Sequence, residues 1–311
     1  MRAWQSAQAA GYEQLAIADC AVPEPGPNEV LVEVHACGIN FSDLLMVSGT
    51  YQVKPPVPFV PGQEIAGRVV PSGERVACKV LWGGFAEYAV ARADMLIALP
   101  AEMSYTAAAT LPVVWPTAWI ALFDRARLAA GETVLIHAAA GGVGLAAVQL
   151  AREAGAKVIA GVGDGAKAEV ARAAGATQVV NTRSAKWSAE VGAPDVIFDP
   201  VGAELAEPSL KCLARNGRYL IVGFAGGRIP ELRANRLLLK NASALGVYWS
   251  HDHDRALIER ALDAVLASWR AGKLRIEAAA HYPFEKLREA LGDLAGRRTT
   301  GKSVLVMKEE S

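Results

Sequence analysis

The chain has 311 residues, enough for two domains with separate cores, and 52% of them are hydrophobic, as in a folded globular protein. Its 32 Lys and Arg balance its 32 Asp and Glu, so it lacks the basic excess that nucleic acid or an anionic membrane surface would require of a partner. It has no apolar signal segment, no stretch approaching a membrane span, and four scattered cysteines without a metal-binding or disulfide pattern, which together predict a cytoplasmic protein.

Up to about Pro112, short runs that alternate between apolar and polar residues are separated by turns rich in proline and glycine. Examples of these runs are EVLVEVHA, EIAGRVV and GGFAEYAVA. Alternation with a period of two is typical of strands that bury one face. This part of the chain therefore predicts an antiparallel, barrel-like domain.

From Thr133 the apolar runs become continuous, and helical stretches rich in Ala, Arg and Glu separate several of them. The runs are TVLIHA, KVIAGV, QVVN, DVIFDPVG, GRYLIVG and ALGVYW. Such runs are expected of parallel strands buried on both faces, so this part predicts a doubly wound α/β sheet. After Trp249, apolar residues from Leu257 to Leu266 recur at helical spacing, which predicts a helix that stops near Gly272.

A glycine-rich turn follows the first parallel strand and precedes a helix predicted over residues 143–154. The G-x-G-x-x-G fingerprint places Ala139, Gly141 and Gly144 at its three glycine positions, so Ala139 is expected to make the tight turn. Gly141 lets the backbone approach a pyrophosphate, Gly144 lets helix and strand pack closely, and a helix N-terminus favours phosphate. The alternative is a glycine-rich helix start that binds nothing. The expected contacts to a dinucleotide are Ala140, Gly141, Gly142 and Val143.

The end of the second parallel strand indicates which dinucleotide is bound. NAD sites usually carry an acid there, whereas this strand ends at Val162 and is followed by Gly163. Lys167 offers a cation for the 2′-phosphate of NADPH, although it could also be a solvated helix residue. Asp164 is open to two interpretations, because its carboxylate could repel that phosphate or bond a ribose hydroxyl of NAD.

Segments along nearly the whole chain resemble the zinc-independent quinone oxidoreductases, the zeta-crystallin-like group of the medium-chain dehydrogenase/reductase superfamily. The matching segments are ACGINFSDLLMVSGTY, PFVPGQEIAG, GGFAEYAV, LPVVWPTAWIAL, HAAAGGVGLAAVQLAREAGAKVI, LLLKNASALGVYW and TTGKSVLV. The resemblance implies a GroES-like β-rich catalytic domain over residues 1–113 and 251–311, a doubly wound Rossmann domain over residues 114–250, and NADPH bound in the cleft. It also implies a homodimer that pairs the last Rossmann strand, in ALGVYW, across a two-fold axis.

The resemblance also argues against a metal. Zinc alcohol dehydrogenases of the same superfamily carry a cysteine where this chain has Asn40, and a histidine where it has Gln63. A catalytic zinc needs about three protein ligands, and an amide supplies neither thiolate nor imidazole. The four-cysteine structural zinc lobe expected after residues 75–77 is missing from the sequence as well. The sequence therefore predicts chemistry without a metal.

Without a metal, a bound nicotinamide supplies the hydride, and the protein supplies orientation and hydrogen bonds. By position in the family, Asn40 is expected to donate its amide to a substrate carbonyl oxygen, and Tyr51 to line the active site. The structural alternatives are that Asn40 caps a turn and that Tyr51 packs. Thr182 stands where relatives often have a tyrosine, with Arg183 a possible substitute cation. The further cofactor contacts implied by the resemblance are Thr117, Thr182, Arg183, Gly223, Phe224 and Lys302.

The predicted function is transfer of hydride from NADPH to a quinone. Reduction of the carbon–carbon double bond of an enone or 2-alkenal would use the same fold and the same hydride, and the sequence does not separate the two activities. A third hypothesis is a non-catalytic NADPH-binding or RNA-associated protein. The balanced charge and the lack of any basic–aromatic run argue against RNA, so the expected partner is a small molecule, with neither nucleic acid nor a membrane.

Overall fold

The computed structural model of the chain describes residues 1–52 and 54–308. Its contacts form two compact units, one of residues 1–113 together with the segment that starts at Ile276, and one of residues 114–275. The elements that precede residue 114 are β1 (Arg2–Gln5), β2 (Ala16–Asp19), β3 (Glu29–Gly38), α1 (Phe41–Val47), β4 (Glu64–Val70), β5 (Arg75–Lys79), β6 (Tyr88–Arg92), β7 (Ile97–Ala98) and α2 (Tyr105–Ala108).

The second unit alternates helices and strands. Its elements are α3 (Val114–Trp119), β8 (Thr133–His137), α4 (Gly142–Glu153), β9 (Lys157–Val162), α5 (Gly165–Ala174), β10 (Gln178–Asn181), α6 (Trp187–Glu190), β11 (Val196–Asp199), α7 (Ala206–Cys212), β12 (Arg218–Ile221), α8 (Ala234–Lys240), β13 (Ser243–Gly246) and α9 (His251–Arg270). The C-terminal segment returns to the first unit with β14 (Ala280–Pro283), α10 (Leu287–Ala295) and β15 (Ser303–Val306).

The long strand β3 organises the first unit. The sheet runs in the order β14-β15-β3-β4-β5-β7, and β6 pairs with the early part of β3. Strand β3 pairs with β6 over residues 29–33 and with β15 over residues 36–38, and its pairing with β4 shifts register between Val34 and Ala36. Every pairing in this sheet is antiparallel except that of β14 with β15. The β-rich, mostly antiparallel domain predicted from the alternating runs is thereby confirmed.

The second unit contains a parallel sheet of six strands in the order β10-β9-β8-β11-β12-β13. Its apolar runs are buried as predicted: Leu135, Ile197 and Leu220 have no exposed surface, and each such side chain contributes roughly 1.5–3 kcal/mol to folding. The chain winds outward in opposite directions from the central pair β8 and β11. The carboxyl ends of these two strands therefore form the topological switch point at which doubly wound sheets bind ligands.

Helix α9 corrects the domain boundary implied by the resemblance, which assigns residues 251–275 to the catalytic domain. In the structure these residues belong to the second unit. Ile258 and Ala261 of α9 pack with Ile120 and Trp249. The helical spacing shows that α9 has an apolar face, but it does not show which unit covers that face.

Strand β13 is the edge of the parallel sheet. In the described part of the chain it pairs with β12 and with no other strand, so one row of its backbone groups faces outward. Three large apolar side chains near this edge are strongly exposed: Leu238, Leu239 and Tyr248. Among the described helices, none has the length and apolar character needed to cross a bilayer.

Candidate functional site

Asn40 immediately precedes α1, and its backbone is fixed by the start of that helix. Its N–H donates to the carboxylate of Asp43 over 2.8 Å, and the N–H of Asp43 donates to the carbonyl of Asn40 over 3.1 Å. Asn40 thus caps a turn through its backbone, as the structural alternative predicts. Its side-chain amide remains available for other partners.

The side-chain amide of Asn40 lies between two buried charges. Its Nδ2 donates to Glu64 Oε1 over 2.9 Å, and its Oδ1 accepts from Lys302 Nζ over 2.5 Å. The ammonium of Lys302 also donates to the carbonyl of Ile39 over 2.9 Å and forms an ion pair with Glu64. The side chain of Lys302 is 6% exposed and that of Glu64 0%, so the two charges compensate each other away from water.

Glu64 fits at this position because the residue opposite it on β3 is a glycine. Gly38 pairs with Glu64 in register, and a Cβ on Gly38 would lie 2.3 Å from Glu64 Oε1. The second carboxylate oxygen of Glu64 accepts from the N–H of Val113 over 3.1 Å. Both oxygens are therefore bonded. The sequence analysis does not identify Glu64 as a site residue, and the G-Q-E motif that contains it is the one signal that could have pointed to it.

Gln63 and Tyr51 complete the candidate residues in this region. The Oε1 of Gln63 accepts a hydrogen bond from the hydroxyl of Ser42. Tyr51 is half-buried and packs against the hydrophobic core of the first unit, while its N–H donates to the carbonyl of Leu45 over 3.1 Å. The packing alternative for Tyr51 is thus observed, and a role for its ring beside a substrate stays a prediction.

Burial raises the pKa values of two ionisable groups near Asn40, Asp43 and Cys37. Asp43 is fully buried, and this burial raises the pKa of its carboxyl to about 7, against the hydrogen bond from the Asn40 N–H and the nearby Lys302 ammonium. Burial likewise holds the pKa of the Cys37 thiol well above its ordinary value. Cys37 is therefore a neutral thiol, unsuited to act as a nucleophile or a metal ligand.

The residues at the expected metal positions do not fit zinc. The Asn40 amide is bonded to Glu64 and Lys302, the Gln63 carbonyl oxygen to Ser42, and the Lys302 ammonium places a positive charge beside Asn40. Within residues 1–52 and 54–308, no group of three or more His, Cys, Asp or Glu lies close enough to hold a metal ion. Zinc prefers thiolate, imidazole and carboxylate ligands, which this set of amides does not supply.

In the second unit, the turn after β8 fits a pyrophosphate. Helix α4 begins at Gly142, directly after the turn, so its first N–H groups lack partners within the helix. A Cβ on Gly144 would lie 2.2 Å from the carbonyl oxygen of Ala138, so only glycine allows this close approach of helix and strand. The N–H of Gly141 donates to the carbonyl of Ala138 over 2.9 Å and closes a tight turn around Ala139 and Ala140, so Ala139 lies in the turn as expected. Ala138, which precedes these two residues, takes the left-handed conformation with φ of 49°, at a cost of roughly 1–2 kcal/mol.

The ends of β9 and β10 bring three charged residues together around Gly163. Asp164 caps α5 by accepting from the N–H of Lys167 over 3.0 Å, and its Oδ2 lies 3.7 Å from Lys167 Nζ. The hydrogen bond from the Lys167 backbone lowers the pKa of Asp164, so the residue is a carboxylate at neutral pH. A Cβ on Gly163 would lie 3.2 Å from Nε of Arg183. Two cations and one anion therefore share this cationic corner, defined as Gly163, Asp164, Lys167 and Arg183.

Other predicted cofactor contacts lie at the same carboxyl edge of the sheet. The hydroxyl of Thr182 donates to the carbonyl of Val162 over 3.1 Å and so joins the ends of β9 and β10. Gly223 and Phe224 follow β12, and the N–H of Gly223 donates to the carbonyl of Asp199 over 3.4 Å. Because parallel strands end at one edge, the turn, the cationic corner and these loops all lie along it.

Two residues predicted to contact the cofactor form hydrogen bonds with other side chains of the protein. On α3, the hydroxyl of Thr117 accepts from Nε1 of Trp249 over 3.0 Å. Lys302 belongs to the first unit, where it is bonded to Asn40, Glu64 and the carbonyl of Ile39. Contacts of any of these residues to a cofactor stay predictions.

Comparison with known proteins gives matches across the chain. The Zinc-binding dehydrogenase family matches residues 142–266, and the Alcohol dehydrogenase GroES-like domain matches residues 26–101. The chain is 40% identical over 304 residues to the quinone oxidoreductase-like protein 2 homolog of Nematostella vectensis, across 91% of this chain and 83% of that relative.

Solved structures of quinone oxidoreductases are similar over essentially the full chain. That of Thermus thermophilus, also determined as a complex with NADPH, is 35% identical, with a TM-score of 0.87 across 99% of this chain and 100% of the other. The Escherichia coli quinone oxidoreductase complexed with NADPH is 29% identical, with a TM-score of 0.89 and the same coverage of 99% and 100%.

Proposed function

Because the chain belongs to the quinone oxidoreductase family of the medium-chain dehydrogenase/reductase superfamily, we propose that it transfers hydride from NADPH to a quinone without a metal ion. The observation that carries the cofactor assignment is the cationic corner of Gly163, Asp164, Lys167 and Arg183. Strand β9 ends at Val162, where an NAD enzyme usually carries an acid that bonds the ribose hydroxyls, and Lys167 and Arg183 supply cations near this strand end. The solved relatives from Thermus thermophilus and Escherichia coli were crystallised with NADPH, which supports the same cofactor here.

NADPH would be held by residues of the second unit. Of the turn residues, Ala140, Gly142 and Val143 would offer backbone N–H groups to the pyrophosphate, and Gly141, whose N–H is bonded to the carbonyl of Ala138, would let the backbone approach it. Lys167 and Arg183 offer cations to the 2′-phosphate, while the carboxylate of Asp164 caps α5 and lies beside the Lys167 ammonium. When bound, the nicotinamide supplies a hydride to the electrophilic atom of the substrate.

In the first unit, Asn40 would stabilise the charge that develops on the substrate. Reduction of a quinone or an enone places negative charge on a carbonyl oxygen, and a preorganised N–H donor lowers the free energy of that transition state. The proposed role of the Asn40 amide is this donation. A metal-free mechanism is supported by the amides of Asn40 and Gln63 and by the Lys302 ammonium, which already compensates the charge of Glu64.

A turnover assay tests the proposed function. The purified protein is supplied with NADPH and a panel of quinones, then with a panel of enones and 2-alkenals, and loss of NADPH absorbance is followed. Turnover of quinones well above that of alkenals is the expected result. The reverse preference would identify the double-bond reductase, and NADPH binding without turnover on either panel would identify a non-catalytic binding protein.

We further propose that the chain forms a homodimer through β13. The free edge of this strand can pair with a second copy across a two-fold axis, and Leu238, Leu239 and Tyr248 would then lose their exposed apolar surface. Light scattering after gel filtration should give twice the mass of the chain. Tyr248→Glu should shift the protein toward the monomer, whereas a monomeric wild type would contradict the assembly.

A further inference from the structure

The ammonium of Lys302 is held inside the first unit by two hydrogen bonds and one ion pair. A lysine ammonium has three N–H groups. Its hydrogen-bond acceptors here are the carbonyl oxygen of Ile39 and the Oδ1 of Asn40, and its charge forms an ion pair with the Oε1 of Glu64. With these three contacts inside the first unit and the side chain 6% exposed, Lys302 is placed to act on Asn40 rather than to bind a cofactor phosphate.

Counting hydrogen bonds in the same way leaves one hydrogen of the Asn40 side-chain amide without an acceptor. The amide NH₂ group has two hydrogens, and one of them is donated to Glu64. No other acceptor for Nδ2 lies among the described residues, and 8% of the surface of Asn40 is exposed to solvent. The second hydrogen is therefore a donor of this buried cluster that has no acceptor within the described residues and can bond a substrate.

The two charges also fix which way the amide points. Oδ1 faces the ammonium of Lys302 and Nδ2 faces the carboxylate of Glu64. A flipped amide would turn its N–H groups toward the ammonium and its oxygen toward the carboxylate, and both contacts would become repulsive. The Lys302 ammonium that donates to Oδ1 also draws electron density from the NH₂ group, which makes its remaining hydrogen a better donor.

We propose that Lys302 and Glu64 are positioning residues that lock the Asn40 amide and direct its second Nδ2 hydrogen at the carbonyl oxygen of the substrate. This inference rests on the proposed function for its kinetic consequence, although the locked amide itself does not. It differs from the role that the family resemblance implies for Lys302, which is a direct contact to the cofactor. A Lys302 variant should lower kcat if Lys302 positions Asn40, and should raise the Kd for NADPH if Lys302 contacts the cofactor.

The first test is Lys302→Met, which keeps the length of the side chain and removes its charge. We expect kcat for the substrate turned over by wild type to fall at least about tenfold, while the Kd for NADPH, measured by fluorescence titration without substrate, changes less than about twofold. Lys308→Met is the matched control, because it removes a lysine of the same segment whose ammonium pairs with Glu33 at the surface. It should leave both quantities unchanged.

The second test asks whether Lys302 acts through Asn40. In an Asn40→Ala background, Lys302→Met should cause no further loss of kcat, because the group it positions is already gone. A further loss as large as that in wild type would overturn the proposal. So would a tenfold rise in the Kd for NADPH with kcat unchanged, which would assign Lys302 to the cofactor. If Lys302→Met leaves Glu64 uncompensated and does not fold, the neutral double variant Glu64→Gln with Lys302→Met replaces it in both experiments.

A measurement independent of turnover separates failure of this proposal from failure of the proposed function. The side-chain NH₂ signals of Asn40 are assigned in a nitrogen–proton NMR spectrum by their loss in Asn40→Ala. Their two hydrogens should differ in chemical shift by more than those of the exposed Asn28, because one is bonded to a carboxylate, and Glu64→Gln should reduce the difference. A separation no larger than that of Asn28 would overturn the locked amide, whatever the enzyme turns over.

Discussion

The guanidinium of Arg183 lies beside the α-carbon of Gly163, so that a Cβ on the glycine would stand 3.2 Å from Nε of Arg183. The backbone of Arg183 is held by the side chain of Asn181, whose Oδ1 accepts its N–H over 3.0 Å. A residue with a side chain at position 163 would displace the guanidinium. The absence of that side chain thus keeps a cation at the end of β9, near Lys167.

The first prediction concerns this cationic corner. A charge-assisted contact to phosphate is worth about 1.5–3 kcal/mol, so Lys167→Ala and Arg183→Ala should each raise the Kd for NADPH roughly 10- to 150-fold and barely alter that for NADH. Fluorescence titration of both cofactors measures the change. Asp164→Ser keeps a helix cap and removes the carboxylate, and it should tighten NADPH binding selectively. Preference of the wild type for NADH, with neither alanine variant altering binding, would rule out this assignment.

The second prediction separates two glycines of the turn after β8. A Cβ on Gly144 would lie 2.2 Å from the Ala138 carbonyl oxygen, so Gly144→Ala should lower the free energy of unfolding by about 1–3 kcal/mol. A Cβ on Gly141 would lie 3.3 Å from the same atom, a contact that a small shift relieves. Gly141→Ala should therefore fold nearly as well as wild type but bind NADPH more weakly. Denaturant unfolding and cofactor titration measure the two effects, and wild-type affinity in Gly141→Ala would contradict the assigned approach of the pyrophosphate.

The third prediction concerns metal. Since Asn40 and Gln63 offer amides at the two positions where related enzymes carry cysteine and histidine, the purified protein should contain no stoichiometric zinc and should keep its turnover in a chelator. Elemental analysis and an assay after dialysis against the chelator measure these properties. One zinc per chain, with activity lost on its removal and restored by its return, would show the metal-free mechanism to be wrong.

The fourth prediction is a dependence of stability on pH. Burial raises the pKa of Asp43 from 3.8 to about 7, in surroundings that include Lys302, Glu64 and Cys37. Between about pH 4 and about pH 7 the folded protein keeps a proton that the unfolded chain has released, so the contribution of Asp43 to stability falls as pH rises through this window. Asp43→Asn carries no such proton and still offers an oxygen to the Asn40 N–H.

The Tm of Asp43→Asn relative to wild type should therefore rise between about pH 5 and about pH 8. Asp19→Asn, which changes an exposed carboxylate, should show no comparable trend and serves as the control. A Tm difference between Asp43→Asn and wild type that stays constant across the range would mean that Asp43 does not hold its proton in the folded protein.

The parallel sheet could be predicted from the sequence because its strands are buried on both faces and so appear as continuous apolar runs. Leu135 and Ile197, for example, lie in two such runs and are fully buried in adjacent strands. The glycine turn could be predicted equally well, since Gly141 and Gly144 belong to a local sequence pattern. The left-handed conformation of Ala138, one residue before the fingerprint, was not predicted from the sequence.

The buried cluster around Asn40 could be predicted only in part from the sequence. Glu64 lies at the start of an alternating strand, where an acid would ordinarily face water. Its burial depends on Gly38 and on Lys302, which meets Asn40 across 262 residues of sequence. Local patterns carry no information about such a distant partner. For the same reason, the apolar face of α9 predicted a buried helix but not the unit in which it is buried.

The position of β15 in the first sheet affects how the chain is made. A ribosome completes β3 and Glu64 early, but the strand that pairs with the later part of β3, and the lysine that neutralises Glu64, emerge only after the whole second unit has been synthesised. During that interval the later part of β3 presents an unpaired edge, and the Glu64 carboxylate has no cation beside it. The first unit therefore reaches its native charge balance only when residues 302–306 are released, whereas the second unit has all its strands well before then.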